Sequence, residues 1–275
     1  MTFGRRLADL IDTRGRLCVG IDPHPALLDA WGLTDSAVGL ERFALTAAEV
    51  LAGTVAVVKP QSAFFERHGS AGIAVLERTI QTCRDLGALV LLDVKRGDIG
   101  STAQAYADAY LHPAGPLSVD AVTVSPYLGF GSVQPFIDAA VAHERGVFVL
   151  AMTSNPEAPQ FQQAATSDGR TVAATVLDEV ASSNAGAEPV GSIGVVVGAT
   201  VEPVATSAMF DVNGPILVPG YGAQGGTAED IKNLLGPAAR WALPSSSRAI
   251  LEAGPDREAL LAAAVRAADD VAALG

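Results

Sequence analysis

Residues 88–98 of the chain read Ala-Leu-Val-Leu-Leu-Asp-Val-Lys-Arg-Gly-Asp, an uninterrupted apolar run that ends in a dense group of charges. A short apolar run without alternating polar positions is typical of a strand that is buried on both faces, as in a parallel sheet covered by helices. The charged residues come where such a strand would end. The stretch therefore predicts a buried strand over Leu89–Leu92 with polar chemistry at its carboxyl end.

The same kind of apolar run recurs along the chain, at Leu17–Ile21, Val55–Val58, Ala121–Val124, Gly146–Ala151, Ile193–Val197, Ile216–Val218 and, more weakly, Trp241–Leu243. Stretches with helical spacing lie between the runs, at Leu40–Leu51, Ile73–Leu86, Gly131–His143, Arg170–Ser182, Glu229–Leu235 and Arg257–Ala273. Alternating strands and helices indicate βαβ units and a parallel sheet. Eight strands in one series, with no GxGxxG motif after the first, favour a (β/α)8 barrel over a doubly wound sheet. We therefore expect an α/β fold in which residues 1–275 form a single TIM barrel domain.

Composition excludes several classes of protein. The chain has 275 residues, a formal net charge of −12, 49% hydrophobic residues and 17% charged residues. Disordered proteins have lower hydrophobicity and a higher charge density, and nucleic-acid binders need the basic residues that this acidic chain lacks. No apolar run approaches the roughly 20 residues of a membrane span. We expect neither a nucleic-acid partner nor a membrane partner.

Cysteines and histidines give further limits. Cys18 and Cys83 form no CxxC motif, and two cysteines cannot build a disulfide framework. Arg5-Arg6 is not followed by the apolar segment of a secretory signal. Together these features predict a cytoplasmic protein with two buried, reduced thiols. The four histidines are scattered without metal-ligand spacing, so a zinc site built from them is not expected.

One segment breaks the alternation of strands and helices. Residues 155–171, after the fifth strand, contain two prolines, three glutamines and a Ser-Asp-Gly sequence. This segment is too long and too polar for a simple turn between a strand and a helix, so we expect a mobile lid around 155–171.

The ends of the second and third strands carry charges. Because side chains alternate along a strand, Asp93 and Lys95 face the same way. Asp98 follows in the loop, and Lys59 ends the neighbouring strand. Burying such charges is costly unless they pair, so the spacing predicts a Lys–Asp–Lys–Asp cluster. Flanking carboxylates would keep Lys95 protonated and make it a proton donor, although the same cluster is also compatible with a salt-bridge network that closes the barrel.

A glycine-rich loop follows the seventh strand. It reads Pro-Gly-Tyr-Gly-Ala-Gln-Gly-Gly over 219–226, and glycines allow backbone N–H groups to approach an anion closely. TIM barrels frequently bind phosphate with the loops after strands seven and eight. Arg248 follows the eighth strand and can contact phosphate oxygens with two N–H groups. The combination indicates a phosphate site, with a tight turn as the alternative for the glycines alone.

These motifs, taken in order, resemble those of the orotidine 5′-phosphate decarboxylase family. Residues 93–102, Asp-Val-Lys-Arg-Gly-Asp-Ile-Gly-Ser-Thr, resemble its D-x-K-x-x-D signature. Residues 219–226 resemble its phosphate loop, and Ser154-Asn155-Pro156 resembles its pyrimidine-contacting loop. The match runs from Asp22 to Arg248, and the stretch Val-Lys-Pro-Gln-Ser-Ala-Phe-Phe at 58–65 is similar to that of the longer bacterial subfamily. The sequence departs from many members at Gly100-Ser101 and at Tyr221.

The resemblance implies a cofactor-free and metal-free decarboxylation of orotidine 5′-monophosphate to UMP and carbon dioxide, in de novo pyrimidine biosynthesis. It assigns the catalytic array to Lys95, Asp93, Asp98 and Lys59, with Lys95 as proton donor to C6. It assigns substrate binding to Asp22, Thr102, Ser154, Gly222, Gln224, Gly225 and Arg248. It also implies a homodimer, in which Asp98 and Thr102 complete the site of the other subunit.

Three other activities fit parts of the pattern. A Mg²⁺-dependent sugar-phosphate decarboxylase or lyase of the same barrel superfamily shares the D-x-K-x-x-D pattern and would lose activity to a chelator. A Schiff-base aldolase needs a lysine of depressed pKa, whereas two carboxylates should shift Lys95 the other way. A non-catalytic phosphate sensor is disfavoured, because a binder has no use for carboxylates that face an anionic ligand.

Overall fold

A computed structural model describes residues 1–201, 207–222 and 224–274, and within these residues eight parallel strands close into a barrel in chain order. The strands are β1 (Cys18–Ile21), β2 (Val57–Pro60), β3 (Leu89–Arg96), β4 (Ala121–Val124), β5 (Gly146–Met152), β6 (Ile193–Val197), β7 (Ile216–Pro219) and β8 (Ala242–Ser246). The barrel closes where β1 pairs with β8, with Cys18 opposite Ser245 and Val19 opposite Ser246.

The helices lie outside the barrel or at its ends. They are α1 (Phe3–Arg14), α2 (Pro25–Ala30), α3 (Ala37–Leu51), α4 (Ser62–Glu66), α5 (Gly69–Asp85), α6 (Gly100–Leu111), α7 (Gln134–Ala142), α8 (Pro159–Gln162), α9 (Val172–Ser183), α10 (Ala228–Leu235), α11 (Arg248–Leu251) and α12 (Arg257–Val271). Short 3₁₀ helices occupy Phe130–Val133, Ser207–Phe210, Gly236–Trp241 and Ala272–Leu274. In the described ranges, no helix has both the length and the apolar character needed to cross a membrane.

The expected barrel is confirmed, with all eight predicted strands in their predicted order. The bounds differ where a strand runs on into polar residues. β3 continues through Arg96, and β8 spans Ala242–Ser246 rather than Trp241–Leu243. The helix pattern was incomplete, because it missed α1 and α6 as well as the short helices α2, α4, α8 and α11. The first turn of α6 consists of Gly, Ser and Thr, which are weak helix formers, so the segment resembles a loop in sequence.

Several helices begin at side chains that accept a hydrogen bond from the first turn. Ser36 begins α3, Thr171 begins α9 and Asp256 begins α12 in this way. Thr227 and Asp230 form a reciprocal capping box at the start of α10. Such contacts satisfy backbone N–H groups that have no partner within the helix, so these polar residues fix where the outer helices start.

The buried apolar residues form two layers. The larger layer lies between the strands and the outer helices. The smaller one fills the barrel and includes Leu89 and Leu91 of β3, Phe148 of β5, and Phe3 and Leu7 of α1. The Phe3 and Phe148 rings meet edge to face with their centroids 6.1 Å apart. Helix α1 therefore closes the amino-terminal end of the barrel, and polar side chains are left to the opposite end.

The segment at 155–171 is folded over part of its length. It contains α8, and Ala165 and Thr171 form an isolated antiparallel bridge. The Gln162 side chain ties α8 to the end of β5, because its oxygen accepts from the Thr153 backbone N–H and its amide donates to the Thr153 hydroxyl, both at 2.8 Å. The segment thus has a defined attachment beside β5, and its movement as a lid stays a prediction.

Candidate active site

The inward direction of the site residues follows from the two-residue period of the strands. Leu89 and Leu91 belong to the layer inside the barrel, so Asp93, two residues further on, faces the same interior. Val57 and Ala121 belong to that layer as well, which places Lys59 and Thr123 on the inside of β2 and β4. On their inward faces, β2, β3 and β4 therefore change from apolar to polar residues at their carboxyl ends.

Asp93 is the centre of the polar cluster. Its side chain is buried, with 7% of the residue exposed. Lys95 Nζ lies 2.7 Å from both carboxylate oxygens, and Lys59 Nζ donates to Oδ2 at 3.3 Å. The Thr123 hydroxyl donates to Oδ1 at 2.7 Å. Both oxygens of one carboxylate thus accept two hydrogen bonds each, and two cations share that carboxylate.

The charges shift one another's pKa values. Burial alone would raise the pKa of Asp93, but Lys59, Lys95 and the Thr123 hydroxyl outweigh it and lower the pKa to about 2. Burial alone would lower the pKa of Lys59, but the carboxylates of Asp22 and Asp93 hold it above its usual value. Asp93 and Lys59 are therefore both charged at neutral pH.

Lys95 has an unusual backbone conformation. Its φ is 45°, in the left-handed region that non-glycine residues rarely adopt. The β3–β4 register shifts between Leu92 and Arg96, so the strand bulges at this point. The Lys95 side chain is 47% exposed while its amine stays on Asp93. The bulge therefore places the Lys95 ammonium group at the open end of the barrel.

A cavity of about 460 Å³ opens at this end of the barrel. Its lining contains seven of the predicted site residues, which are Asp22, Lys59, Asp93, Lys95, Ser154, Gln224 and Arg248. Asp22 Oδ1 is buried and has no hydrogen-bond partner among the described residues, and it lies 4.0 Å from Lys59 Nζ. A buried acceptor without a hydrogen bond is costly, and Asp22 lines the cavity, so its carboxylate is suited to accept a hydrogen bond from a ligand hydroxyl.

The loop after β7 turns on glycines. Gly220, Gly222 and Gly225 have φ values of 98°, 76° and 88°, which other residues rarely adopt. The turn is closed by hydrogen bonds from Gly225 N–H to the Gly222 carbonyl and from Gly222 N–H to the Gly226 carbonyl. Gly220 and Gln224 line the cavity, whereas the predicted site residues Gly222 and Gly225 are not among its lining residues. Ala223, which we assigned to the same loop, lies outside the described residues.

Asp98 and Thr102 do not reach the cavity of their own chain. Thr102 is exposed on α6, and an Asp98 carboxylate oxygen accepts from the neighbouring Ile99 N–H at 2.8 Å. Neither residue lines the cavity. The spacing of the signature had suggested that Asp98 joins Lys59, Asp93 and Lys95 in one cluster. Within one chain, the second carboxylate of the cluster is instead Asp22.

Sequence reasoning missed several residues of the cavity wall. Thr123, His24, Gln61 and Phe64 line it. The ring centroids of His24 and Phe64 are 4.2 Å apart. Burial lowers the pKa of His24, and the positive charge of Arg248 lowers it further, although Asp22 acts in the opposite direction. His24 and Gln61 each lie two residues after a predicted site residue, Asp22 and Lys59. Their positions in the sequence could therefore have indicated that they also face the cavity. Thr123 gave no such signal, because threonine is an ordinary residue in strands.

No group of three or more His, Cys, Asp or Glu side chains in the described ranges is arranged to hold a metal ion. The array consists instead of two ammonium groups and two carboxylates around one end of a cavity. Such an array can stabilise negative charge that develops on a bound molecule, and it can supply a proton from a lysine.

Comparisons with known proteins agree with the resemblance in the motifs. The profile of the orotidine 5′-phosphate decarboxylase / HUMPS family matches residues 15–263. The orotidine 5′-phosphate decarboxylases of Salinispora tropica and Salinispora arenicola are 58% and 59% identical to the chain, over 98% of its length and 96% of theirs. The crystal structure of a protein from Streptomyces avermitilis, described as a putative orotidine 5′-phosphate decarboxylase, is 54% identical in sequence with a TM-score of 0.96, and the match covers 99% of this chain and 95% of that one.

Proposed function

We propose that Lys95 is the proton donor in the conversion of orotidine 5′-monophosphate to UMP and carbon dioxide by this protein. The chain belongs to the orotidine 5′-phosphate decarboxylase / HUMPS family, and its curated relatives are decarboxylases. The conversion is a step of de novo pyrimidine biosynthesis. The observation that carries the proposal is the position of Lys95 Nζ, 2.7 Å from both oxygens of the buried Asp93 at the cavity wall.

The chemistry requires a cation at the reacting carbon. When the bond between C6 and the carboxylate breaks, its electron pair stays on C6 in the plane of the ring, where no ring orbital delocalises it. A proton then passes from Lys95 Nζ to C6, and carbon dioxide leaves. A preorganised ammonium group beside C6 stabilises the developing charge without reorganising solvent. Lys95 therefore acts both as the electrostatic stabiliser and as the acid.

Asp93 has two roles in this proposal. It holds Lys95 in place, and its low pKa keeps it ionised beside the substrate carboxylate. Two unit charges about 4 Å apart repel by roughly 4 kcal/mol at an effective dielectric constant of 20. Because this repulsion disappears as neutral carbon dioxide forms, it favours the transition state over the bound substrate.

The remaining cavity residues would bind the nucleotide. Arg248, Gln224 and the backbone N–H groups of the loop after β7, with Gly222 and Gly225 as its turn residues, hold the phosphate. The Asp22 carboxylate accepts a hydrogen bond from a ribose hydroxyl, Lys59 contacts the ribose and holds the charged array together, and Ser154 contacts the pyrimidine. Phosphate binding far from C6 supplies energy for closing residues 155–171 over the site. Orotidine without its phosphate should therefore have a much lower kcat/KM than the nucleotide.

We also propose that the active form is a homodimer. Asp98 and Thr102 lie outside the cavity of their own chain, on a surface segment that a second copy can approach. Mixing an inactive Lys95→Ala protein with an inactive Asp98→Ala protein should restore activity, because mixed dimers then contain one intact site. If the mixture stays inactive although mixed dimers form, Asp98 does not act across the interface.

The cellular location is the cytoplasm in this proposal. Cys18 and Cys83 are both free and buried, which suits a reducing compartment. Fractionation of the producing cells, with activity followed in the cytoplasmic and membrane fractions, tests this point.

The first experiment follows the absorbance of orotidine 5′-monophosphate after addition of purified protein, with EDTA present. Rapid conversion that is unaffected by EDTA and lost in Lys95→Ala is the expected result. Lys232→Ala is a matched control, since Lys232 is exposed on α10. A Lys95→Ala protein that retains full activity would refute the role of Lys95. Conversion only with added Mg²⁺ would refute a metal-free reaction and favour the sugar-phosphate enzymes of the same superfamily.

A further inference from the structure

Thr123 occupies a position in the site that the proposed mechanism does not use. It lies near the end of β4, its residue is 1% exposed, and its side chain lines the cavity. The hydroxyl makes three hydrogen bonds. It donates to Asp93 Oδ1 at 2.7 Å and accepts from the backbone N–H groups of Val94 and Lys95 at 3.1 Å and 2.9 Å.

These three bonds use the whole capacity of the hydroxyl. A threonine hydroxyl has one hydrogen and two lone pairs. Because the two backbone N–H groups take the lone pairs, the hydrogen must point at Asp93. The contact between Thr123 and Asp93 therefore has one possible direction, with Asp93 as the acceptor.

The hydrogen bonds of Thr123 also connect β4 to β3 where the regular pairing of these two strands is interrupted. Leu92 is opposite Val122 and Arg96 is opposite Val124, so three residues of β3 stand against Thr123 alone. The N–H groups of Val94 and Lys95 lie inside this register shift and donate to the Thr123 hydroxyl, and leaving a buried N–H unpaired would be costly. The Thr123 hydroxyl satisfies both groups, and it does so at the residue whose φ is 45°.

The same hydroxyl completes the set of partners of Asp93. Lys95 contacts both carboxylate oxygens, Lys59 contacts Oδ2 and Thr123 contacts Oδ1. An ionised carboxylate offers about four lone-pair sites, so the four bonds fill it. Rotation of the Asp93 carboxylate would break at least one of them.

We propose that Thr123 is a positioning residue, which fixes the strained Lys95 backbone and the Asp93 carboxylate so that the Lys95 amine meets the reacting carbon. The inference rests on the proposed role of Lys95. Thr123 itself need not touch the substrate, because its effect passes through its bonds to Asp93 and to the two backbone groups. An error of about 1 Å in the placement of a reacting group can cost about 10²-fold in rate.

The test compares Thr123→Val, which keeps the shape and removes the hydroxyl, with Thr123→Ser, which keeps the hydroxyl. We expect Thr123→Val to lower kcat by about 10- to 100-fold with little change in KM, and Thr123→Ser to restore most of it. Because the hydroxyl helps to lower the pKa of Asp93, the acid limb of the kcat–pH profile should move to higher pH in Thr123→Val. A purely structural role would reduce stability without moving that limb.

Thr79→Val is the matched control. Thr79 is also fully buried, and its hydroxyl donates to the Val75 carbonyl at 2.8 Å within α5, away from the cavity. This variant should keep the wild-type kcat. Wild-type kcat in Thr123→Val, or a Thr123→Ser protein as slow as Thr123→Val, would overturn the inference.

A second measurement does not depend on activity. Hydrogen exchange of the Val94 and Lys95 amides should be slow in the wild type, faster in Thr123→Val and slow again in Thr123→Ser. If the wild type fails to convert orotidine 5′-monophosphate, the proposed function is wrong, and this measurement still decides the positioning role. Unchanged exchange of both amides in Thr123→Val would overturn it.

Discussion

The barrel carries a buried carboxylate between two cations at each of its ends. At the carboxyl end Asp93 lies between Lys59 and Lys95. At the amino-terminal end Asp120 accepts from Arg6 at 2.7 Å and from Arg145 at 3.0 Å. Both aspartates are less than a tenth exposed. The two clusters therefore have the same charge pattern and differ in the kind of cation and in its surroundings.

The choice of cation decides what each cluster can do. A guanidinium stays protonated in proteins, whereas a lysine amine can release its proton. Arg145 has 10% of its side chain exposed, while Lys95 has 47% of its side chain exposed at the cavity wall. Asp120 also accepts directly from the Val90 N–H at 3.0 Å, so it connects α1, β3 and Arg145, the residue that precedes β5. We infer that the amino-terminal cluster stabilises the fold, whereas the other cluster performs the reaction.

The largest expected effect is a loss of kcat when the lysine beside Asp93 is replaced by arginine, the type of cation that lies beside Asp120. Lys95→Arg keeps a positive charge beside Asp93 but removes the transferable proton. We expect kcat to fall by about 10²- to 10⁴-fold, the usual contribution of a general acid, with little change in the free energy of unfolding. Steady-state kinetics and urea unfolding measure the two quantities. Arg145→Lys is the control and should keep kcat, and a Lys95→Arg protein with nearly full kcat would contradict the difference drawn between the two ends.

The second effect concerns stability at the amino-terminal end. Asp120→Ala leaves the buried Arg145 and the half-buried Arg6 without their shared carboxylate, which should cost about 3–5 kcal/mol in the free energy of unfolding. The kcat of the folded fraction should be unchanged, because the cluster lies at the end of the barrel opposite the cavity. Asp9→Ala, which breaks the exposed pair of Asp9 with Arg5 on α1, is the control and should cost less than about 1 kcal/mol. Equal losses in the two variants would argue against a stabilising role for Asp120.

The smallest effect is a pH dependence of stability that comes from Asp93. Its pKa is about 2 in the folded chain against 3.8 ordinarily, so the ionised form favours folding. The contribution is complete above about pH 4 and is lost as the pH falls towards 2, and it amounts to about 2 kcal/mol. Urea unfolding of the wild type and of Asp93→Asn between pH 6 and pH 2 measures it. The stability difference between the two proteins should shrink over that range; a constant difference would show that Asp93 is not held ionised by its neighbours.

Much of the fold and of the site could be predicted from sequence patterns. Apolar runs separated by helical stretches predicted all eight strands and the barrel, since burial on both faces leaves a clear local pattern. Side chains alternate along a strand, and parallel strands end at the same side of the barrel. These two properties predicted that Lys59, Asp93 and Lys95 lie close together. The Gly-rich loop and Arg248 followed from the chain positions after β7 and β8. Each of these inferences depends on neighbours in sequence or on one general property of barrels.

Other features were beyond local patterns. Phe3 and Leu7 of α1 fill the barrel from its amino-terminal end, which depends on a cavity that exists only after eight strands have closed. Asp22 approaches Lys59 because β1 and β2 pair in a register that places Gly20 opposite Lys59. Asp98 lies outside the cavity of its own chain, although its spacing from Lys95 suggested a shared cluster.

The sequence by itself determined which residues are buried, where the strands end and which charges stand at those ends, because burial and strand period act over a few residues. Only the tertiary structure decided how those charges are held. The bulge in β3, the φ of 45° at Lys95 and the three bonds of Thr123 depend on the register of β3 against β4. That register is set by packing and closure of the whole barrel, and therefore no stretch of sequence shows it alone.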